Sequence, residues 1–232
     1  MAERLRILTA NLWNGRADPE SFAALLERED VDVACVQELA PEQAGPIAAV
    51  LPHGALEPAS DYTGMGIALR HPAEVTSLPL RYRPLRVARL DPKDWPRLSE
   101  PLAIWNVHVR APHSYPQHVS LAIRRVQLRA LLGHIERAAA GPRLLLMGDF
   151  NATPLWPVYR RVARKLDDLA LAAARRRGQR PARTWGPLWR YPRLRLLRID
   201  HAFARGVEAS RVQSFHLPGS DHDALCLDVE LD

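Results

Sequence analysis

Four apolar runs in this chain each meet a short polar motif: Asn11 in ILTANLW, Glu38 in VACVQEL, Asp149-Phe150-Asn151 in LLLMGDFNATP, and Ser220-Asp221-His222 in LPGSDHDALCL. The runs read as buried strands. Carboxylates, carboxamides and an imidazole beside such strands are costly unless they bind something. A fold that satisfies all four motifs therefore brings these strand ends to one shared polar pocket.

The segments between the motifs fit a sheet-based α/β chain. Residues 4–10 form a β-like run, and Asp18 with Pro19 opens a helix over 18–29 whose apolar face is Phe22, Leu25 and Leu26. The run VDVACVQ then delivers Glu38, giving a β-helix-β start. Strands are expected at 64–70, 73–78, 84–91 and 101–109, and their close spacing suggests antiparallel pairing. Leu121, Ile123, Val126, Leu128, Leu131, Leu132 and Ile135 place a long helix within 117–140, stopped by Gly141 and Pro142. Leu144–Met147 is a compact strand that ends at the Asp149 motif, and a helix is expected after Pro154 toward residue 165. Residues 175–196 lack periodicity and read as a long surface loop or lid; strands resume near 197–204, 211–217 and 224–230.

Bulk properties exclude some classes and leave others open. A chain of 232 residues, 47% hydrophobic and 25% charged, can bury a core as one domain spanning 1–232. Cys35 and Cys226 both lie in apolar runs, so no disulfide framework is implied. The N-terminus lacks the uninterrupted apolar stretch of a signal peptide, and no run reaches membrane-spanning length, so the expected location is cytoplasmic, without integral membrane association. No obligate protein partner is evident. The formal net charge of +6 suits a phosphate-rich partner and serves solubility equally well. Its densest clusters are Arg175–Arg177 and the alternating Arg190, Arg193, Arg195 and Arg198.

Each polar residue has an ordinary reading and a chemical one. Glu38 is a solvated strand-end charge or a ligand for a hard cation such as Mg²⁺ or Mn²⁺. Asn11 makes an Asx turn, binds metal directly, or orients a ligand. Asp149 and Asn151 stabilise a turn through their side chains or, if the chain is extended there, face one side together and address a phosphate and its attacking water. Asp221 and His222 form a surface ion pair or a charge-handling couple, with Asp200 in LLRIDHAFA orienting the His222 ring. His108 in IWNVHVRAP is a satisfied core histidine, or it contacts phosphate or protonates the leaving oxygen. Trp13, Trp185 and Trp189 belong to the core or a lid, or stack on bases. Recurrence of four such motifs favours the chemical readings together, and the reaction they suit is metal-assisted phosphate-ester hydrolysis.

In order and wording the motifs resemble the endonuclease/exonuclease/phosphatase (DNase I-like) superfamily over nearly the whole chain. The matching positions are Asn11, Glu38, His108, Asp149, Asn151, Asp200, Asp221 and His222, supported by GMGIAL at 64–69. The resemblance implies a four-layer α/β sandwich: two mainly antiparallel sheets packed together with helices outside. It implies Glu38 as principal metal ligand with Asn11 and Asp221 near the metal, and Asp149 orienting or deprotonating water. It further implies Asn151 and His222 on the phosphate, with Asp200 holding His222. His108 stands where many abasic-site endonucleases of the superfamily carry tyrosine, so the resemblance does not extend to that repair role. A divalent-metal phosphodiesterase, with DNA or RNA among its substrates, is the reading implied. The alternatives are a phosphoinositide, sphingomyelin-like lipid or small-ester hydrolase, and a non-catalytic phosphate-binding protein.

Overall fold

The computed structural model describes residues 4–141, 143–187, 191 and 193–230. Strands β1 (Arg4–Asn11) and β2 (Val33–Gln37) run parallel because α1 (Pro19–Arg28) carries the chain back between them. The helix starts where the sequence signals it. Asp18 accepts a hydrogen bond from the Ser21 N–H at 2.8 Å, and Phe22, Leu25 and Leu26 are buried.

After α2 (Pro41–Val50), β3 (His53–Glu57) pairs with β4 (Met65–Leu69), and β4 pairs antiparallel with β2. The chain's last strands, β11 (Glu208–His216) and β12 (Asp223–Glu230), return to this sheet, whose order is β11-β12-β1-β2-β4-β3. The second sheet contains β5 (Glu74–Leu78), β6 (Leu85–Leu90), β7 (Leu102–His108) and β8 (Arg143–Asp149). It is completed by β10 (Asp200–Arg205) and the two-residue β9 (Asp167–Asp168), in the order β5-β6-β7-β8-β10-β9. The crossover α3 (Gln117–Arg137) makes β7 and β8 parallel; α4 (Pro157–Val162) and α5 (Leu169–Arg176) follow β8.

Alternation along each strand divides the core into three layers. Leu5, Ile7, Ile104, Leu145 and Met147 fill the space between the sheets. Their neighbours Leu8 and Ala10 pack beneath α1 and α2, whereas Trp105, Leu144 and Leu146 pack against Leu128, Leu131 and Ile135 of α3. Both faces of the central strands are thus covered, which is why they read as unbroken apolar runs. The arrangement is the four-layer α/β sandwich expected.

The differences from the sequence reading have local causes. α2 contains Gly45 and Pro46, which blur a helical pattern, and β3 is a short strand of mixed polarity. α5 and β9 fill residues given no element, so the long loop begins after Arg176 and not at 175. The strand expected from 197 starts at Asp200, and α3 stops at Arg137. No described helix is long and apolar enough to cross a membrane.

Candidate active site

Topology alone gathers the polar motifs. Asn11 ends β1, Glu38 directly follows β2, and His222 directly precedes β12, which runs antiparallel to β1. In the other sheet His108, Asp149 and Asp200 lie in one row across β7, β8 and β10. Both sets open at the same end of the sandwich.

Asn11 links the two halves of the site. Its Nδ2 donates to Glu38 Oε1 at 3.2 Å and to Asp149 Oδ2 at 3.1 Å, while its Oδ1 accepts from Trp13 N at 2.9 Å. The bond from Trp13 N is the Asx turn the sequence offers, and of the two chemical roles this geometry favours orienting the carboxylates over direct ligation. His108 Nε2 lies 3.5 Å from Glu38 Oε1 and 3.4 Å from Asp149 Oδ2. Burial, with the charges of Arg83 and His222, holds the His108 imidazole well below its ordinary pKa. Burial also raises the Glu38 carboxyl against the Asn11 hydrogen bond, and lifts Asp149 to about 7.

The Asp149 motif is a turn and not an extended segment. Asn151 has φ +47°; its backbone N–H donates to Asp149 Oδ1 at 2.7 Å. Its amide donates to Asp149 Oδ2 at 2.7 Å and to the Val109 carbonyl at 3.0 Å. The ordinary Asx-type reading of this motif is therefore correct, and it serves the site: the turn fixes the rotamer of Asp149. Gly148 is required, because at φ +136° a Cβ would stand 2.0 Å from the Val107 carbonyl oxygen. Phe150 anchors the turn from beneath, against His201 and Phe203.

His222 faces the carboxylates from the first sheet. Its Nδ1 lies 2.8 Å from Asp200 Oδ2, and its Nε2 lies 3.9 Å from Asp221 Oδ1. Burial pulls its pKa down, but Asp200, with Asp149 and Asp221 behind it, overrides that and raises it to about 10. The ring is an imidazolium at neutral pH. Ser220 ties the His222 segment to the end of β1, since its hydroxyl donates to the Asn11 carbonyl at 2.8 Å and accepts from His222 N at 3.0 Å. Asp221 accepts from Trp185 Nε1 at 2.8 Å.

These groups line a cleft of about 420 Å³ together with Trp13, Tyr62, Tyr82, Arg83, Arg110, His113 and Trp185. Four of its residues, Trp13, Glu38, Tyr82 and Asn151, have positive φ without being glycine, the backbone strain that functional sites concentrate. Sequence reading named all eight motif residues in the cleft or its supports. It missed Tyr82 and Arg83, whose only signal is an Arg-Tyr-Arg tripeptide before a strand, and Arg110, which follows β7. The basic loop behaves differently from a free phosphate trap. Arg195 is paired with Asp223 at 2.7 Å and Arg198 with Asp168 at 2.8 Å, leaving Arg193 exposed. Trp189 and Arg190 lie outside the described residues. His201 is a core histidine, its Nε2 2.8 Å from the Ala152 carbonyl.

The donor set fits a hard divalent cation. Glu38 Oε2 is buried with no hydrogen-bond partner, and Asp149 lies against the same Asn11 amide. Asp149, Asp200 and His222 also place ligand atoms within 4.8 Å of one another and form a second group able to hold a metal. Because Asp200 already engages a protonated His222, Glu38 with Asp149 is the better-suited pair.

Residues 8–222 match the model of the Endonuclease/Exonuclease/phosphatase family. The structure is similar to an endonuclease/exonuclease/phosphatase from Bacteroides vulgatus, at 17% identity and TM-score 0.72 over 99% of this chain and 100% of that one. It is similar to a humanized D. rerio TDP2, at 16% identity and TM-score 0.71 over 98% and 99% of the two chains. It also resembles the human Nocturnin catalytic domain with bound sulfate anion, at 18% identity and TM-score 0.70 over 100% and 96%. At these identities the likeness is one of fold. No curated protein sequence matches.

Proposed function

The chain belongs to the Endonuclease/Exonuclease/phosphatase family, whose members are phosphoester hydrolases, and from that premise we propose that it is a divalent-metal-dependent phosphodiesterase of nuclease type. The observation that carries the reading is that a buried imidazolium, His222 held by Asp200, shares one cleft with two carboxylates, the buried Asp149 and the half-buried Glu38. A phosphate ester placed between them has a cationic hydrogen-bond donor on one side and water-activating carboxylates on the other.

In this reading Glu38 and Asp149 hold Mg²⁺ or Mn²⁺, with Asp221 near it and Asn11 fixing both carboxylates. The cation, when bound, neutralises phosphate charge and makes water more acidic. Asp149 orients the attacking water for in-line displacement and takes its proton, with Asn151 and Asn11 fixing its two oxygens. His222 donates Nε2–H to the oxygens on which charge develops. His108, neutral and buried, supports the two carboxylates and is unsuited to act as an imidazolium acid.

A lipid or small phosphate ester is the second reading. A cavity of about 100 Å³ adjoins the cleft through His113, Asn151 and Trp185 and is walled by Pro112, Trp156, Leu197 and Ile199. It takes an apolar or flat group beside the phosphorus, a description that suits a nucleobase and a lipid substituent alike.

The test is hydrolysis of bis-p-nitrophenyl phosphate, p-nitrophenyl phosphate, single- and double-stranded DNA, RNA and lipid phosphoesters, with Mg²⁺, Mn²⁺ or EDTA. Asp149→Ala should abolish turnover, and Glu38→Gln should remove most metal-dependent turnover in a folded protein. The substrate ranking separates the two readings. Tight phosphate binding without turnover of any ester would instead identify a binding protein.

A further inference from the structure

The cleft that holds the carboxylates has a further wall made of Tyr82, Arg83 and Arg110. Arg83 is only 5% exposed; its Nε donates to the Tyr62 carbonyl at 2.8 Å, but its Nη1 is buried without a hydrogen-bond partner. Glu38 and Asp149 act on it electrostatically, yet among the described residues their close ionic contacts are with His108. A buried guanidinium that shares the cleft with two carboxylates but pairs to neither keeps an unpartnered N–H donor, which a substrate anion satisfies.

A second cation stands beside it. The guanidinium carbons of Arg83 and Arg110 lie 4.7 and 4.4 Å from the centroid of the same Tyr82 ring, and Arg110 Nε is likewise buried without a partner. Two like charges on one ring repel, so the arrangement is held by its surroundings. Tyr82 has φ +80°, a strained value for an aromatic residue. Gln127, 1% exposed, donates to the Arg81 carbonyl at 2.8 Å and accepts from Arg110 N at 3.0 Å, fastening the two segments to one amide. Arg124 binds the Arg110 carbonyl from the same helix.

We propose that Arg83 grips the scissile phosphate, and that Arg110, stacked on the same Tyr82 ring, takes a second phosphate of the same substrate one linkage away. The proposal rests on the phosphodiesterase reading and deepens it: the wall selects an ester carrying two neighbouring phosphates over one carrying a single phosphate.

The experiment measures binding of inorganic phosphate and of thymidine 3′,5′-bisphosphate in EDTA at fixed ionic strength, using calorimetry. Wild type should prefer the bisphosphate by about tenfold or more, and Arg110→Gln should remove about tenfold of that preference. Arg83→Gln should weaken both ligands by about tenfold or more, with Arg83→Lys recovering only part, since a point charge does not replace the guanidinium fork. A wild-type preference near unity, or one that Arg110→Gln leaves intact, overturns the proposal. If Arg83→Gln does not fold, wild type and Arg110→Gln still decide. Turnover of bis-p-nitrophenyl phosphate with Mg²⁺ by wild type is measured in parallel. The binding preference without turnover of this or any other ester in the panel sinks the phosphodiesterase reading and keeps the wall; turnover without the preference does the reverse.

Discussion

Gln37 Nε2 donates to Asn106 Oδ1 at 2.6 Å across the interior between the two sheets. Asn106 in turn donates to the carbonyls of Val36 and Gly66, each at 2.9 Å, so β7 of one sheet is hydrogen-bonded to β2 and β4 of the other. Gln37 immediately precedes Glu38, and Asn106 lies two residues before His108. The polar bridge thus sits under the catalytic row and sets the spacing between sheets where the site needs it.

Asn106→Leu should be strongly destabilising for this reason. It removes the acceptor of Gln37 and the donor to two buried carbonyls, a loss of about 3 kcal/mol or more. Urea denaturation of Asn106→Leu, Gln37→Leu and the double variant checks this. The double variant should lose less than the sum of the single losses, because replacing both partners removes the Gln37 and Asn106 amide groups that each single change leaves unpaired, although the Val36 and Gly66 carbonyls stay without their donor. Additive losses would mean that the two amides do not act as a bridge.

Gly148→Ala addresses the Asp149 turn. The added methyl would meet the Val107 carbonyl oxygen at 2.0 Å with φ held at +136°. Relief requires β8 to shift against β7, at a cost of about 2 kcal/mol or more. Because Asp149 follows directly, kcat should fall with stability, and a variant that keeps wild-type kcat would show the turn to be more tolerant than its geometry implies.

Asp200→Asn should change the pH dependence of catalysis. With Asp200 present, His222 stays protonated up to about pH 10. Without that carboxylate, burial dominates and the pKa falls, so the cationic donor is lost as pH rises through neutrality. We expect kcat/KM to drop by about a hundredfold at pH 8 and to recover partly toward pH 6. A uniform loss at both pH values would assign Asp200 a purely structural part.

Much of this arrangement was legible in the sequence because chemistry and topology coincide there. Buried strands announce themselves as apolar runs, and the polar residues at their ends stand out against that background, so Asn11, Glu38, Asp149, Asp200 and His222 are legible together with the fold that unites them. What the sequence concealed depends on three-dimensional proximity. Arg83 and Arg110 are separated by a strand pair and look like any surface arginine until the burial of Arg83 and the ring they share are seen. Conversely, Arg195 and Arg198 belong to a conspicuous basic pattern, yet Asp223 and Asp168 neutralise them inside the structure. Helix α2 is hidden because Gly45 and Pro46 are poor helix formers, tolerated where Gln43 caps the helix and donates to the Leu12 and Ala17 carbonyls.

Above about pH 6.5, metal-free stability should fall as pH rises, and a divalent cation should reverse the trend. His222 has a folded pKa of about 10 against an ordinary 6.5, so its stabilising contribution is complete below 6.5 and is lost as pH rises toward 10. Asp149, raised from 3.8 to about 7 by burial, also binds its proton more tightly when folded; the stability linked to that proton is present below 3.8 and is lost as pH rises through 7. Both effects lower the melting temperature in EDTA between about pH 6.5 and 8.5; below that range the buried His108 and His201, held under their ordinary pKa by burial, act in the opposite sense. Mg²⁺ binds the deprotonated carboxylates, so the increment it adds should grow over the same window. Thermal melts at pH 6.5, 7.5 and 8.5 with EDTA or Mg²⁺ check both signs, and Glu38→Gln should abolish the increment. A melting temperature in EDTA that climbs with pH would refute the titration argument, and an Mg²⁺ increment that shrinks with pH would place the cation away from Glu38 and Asp149.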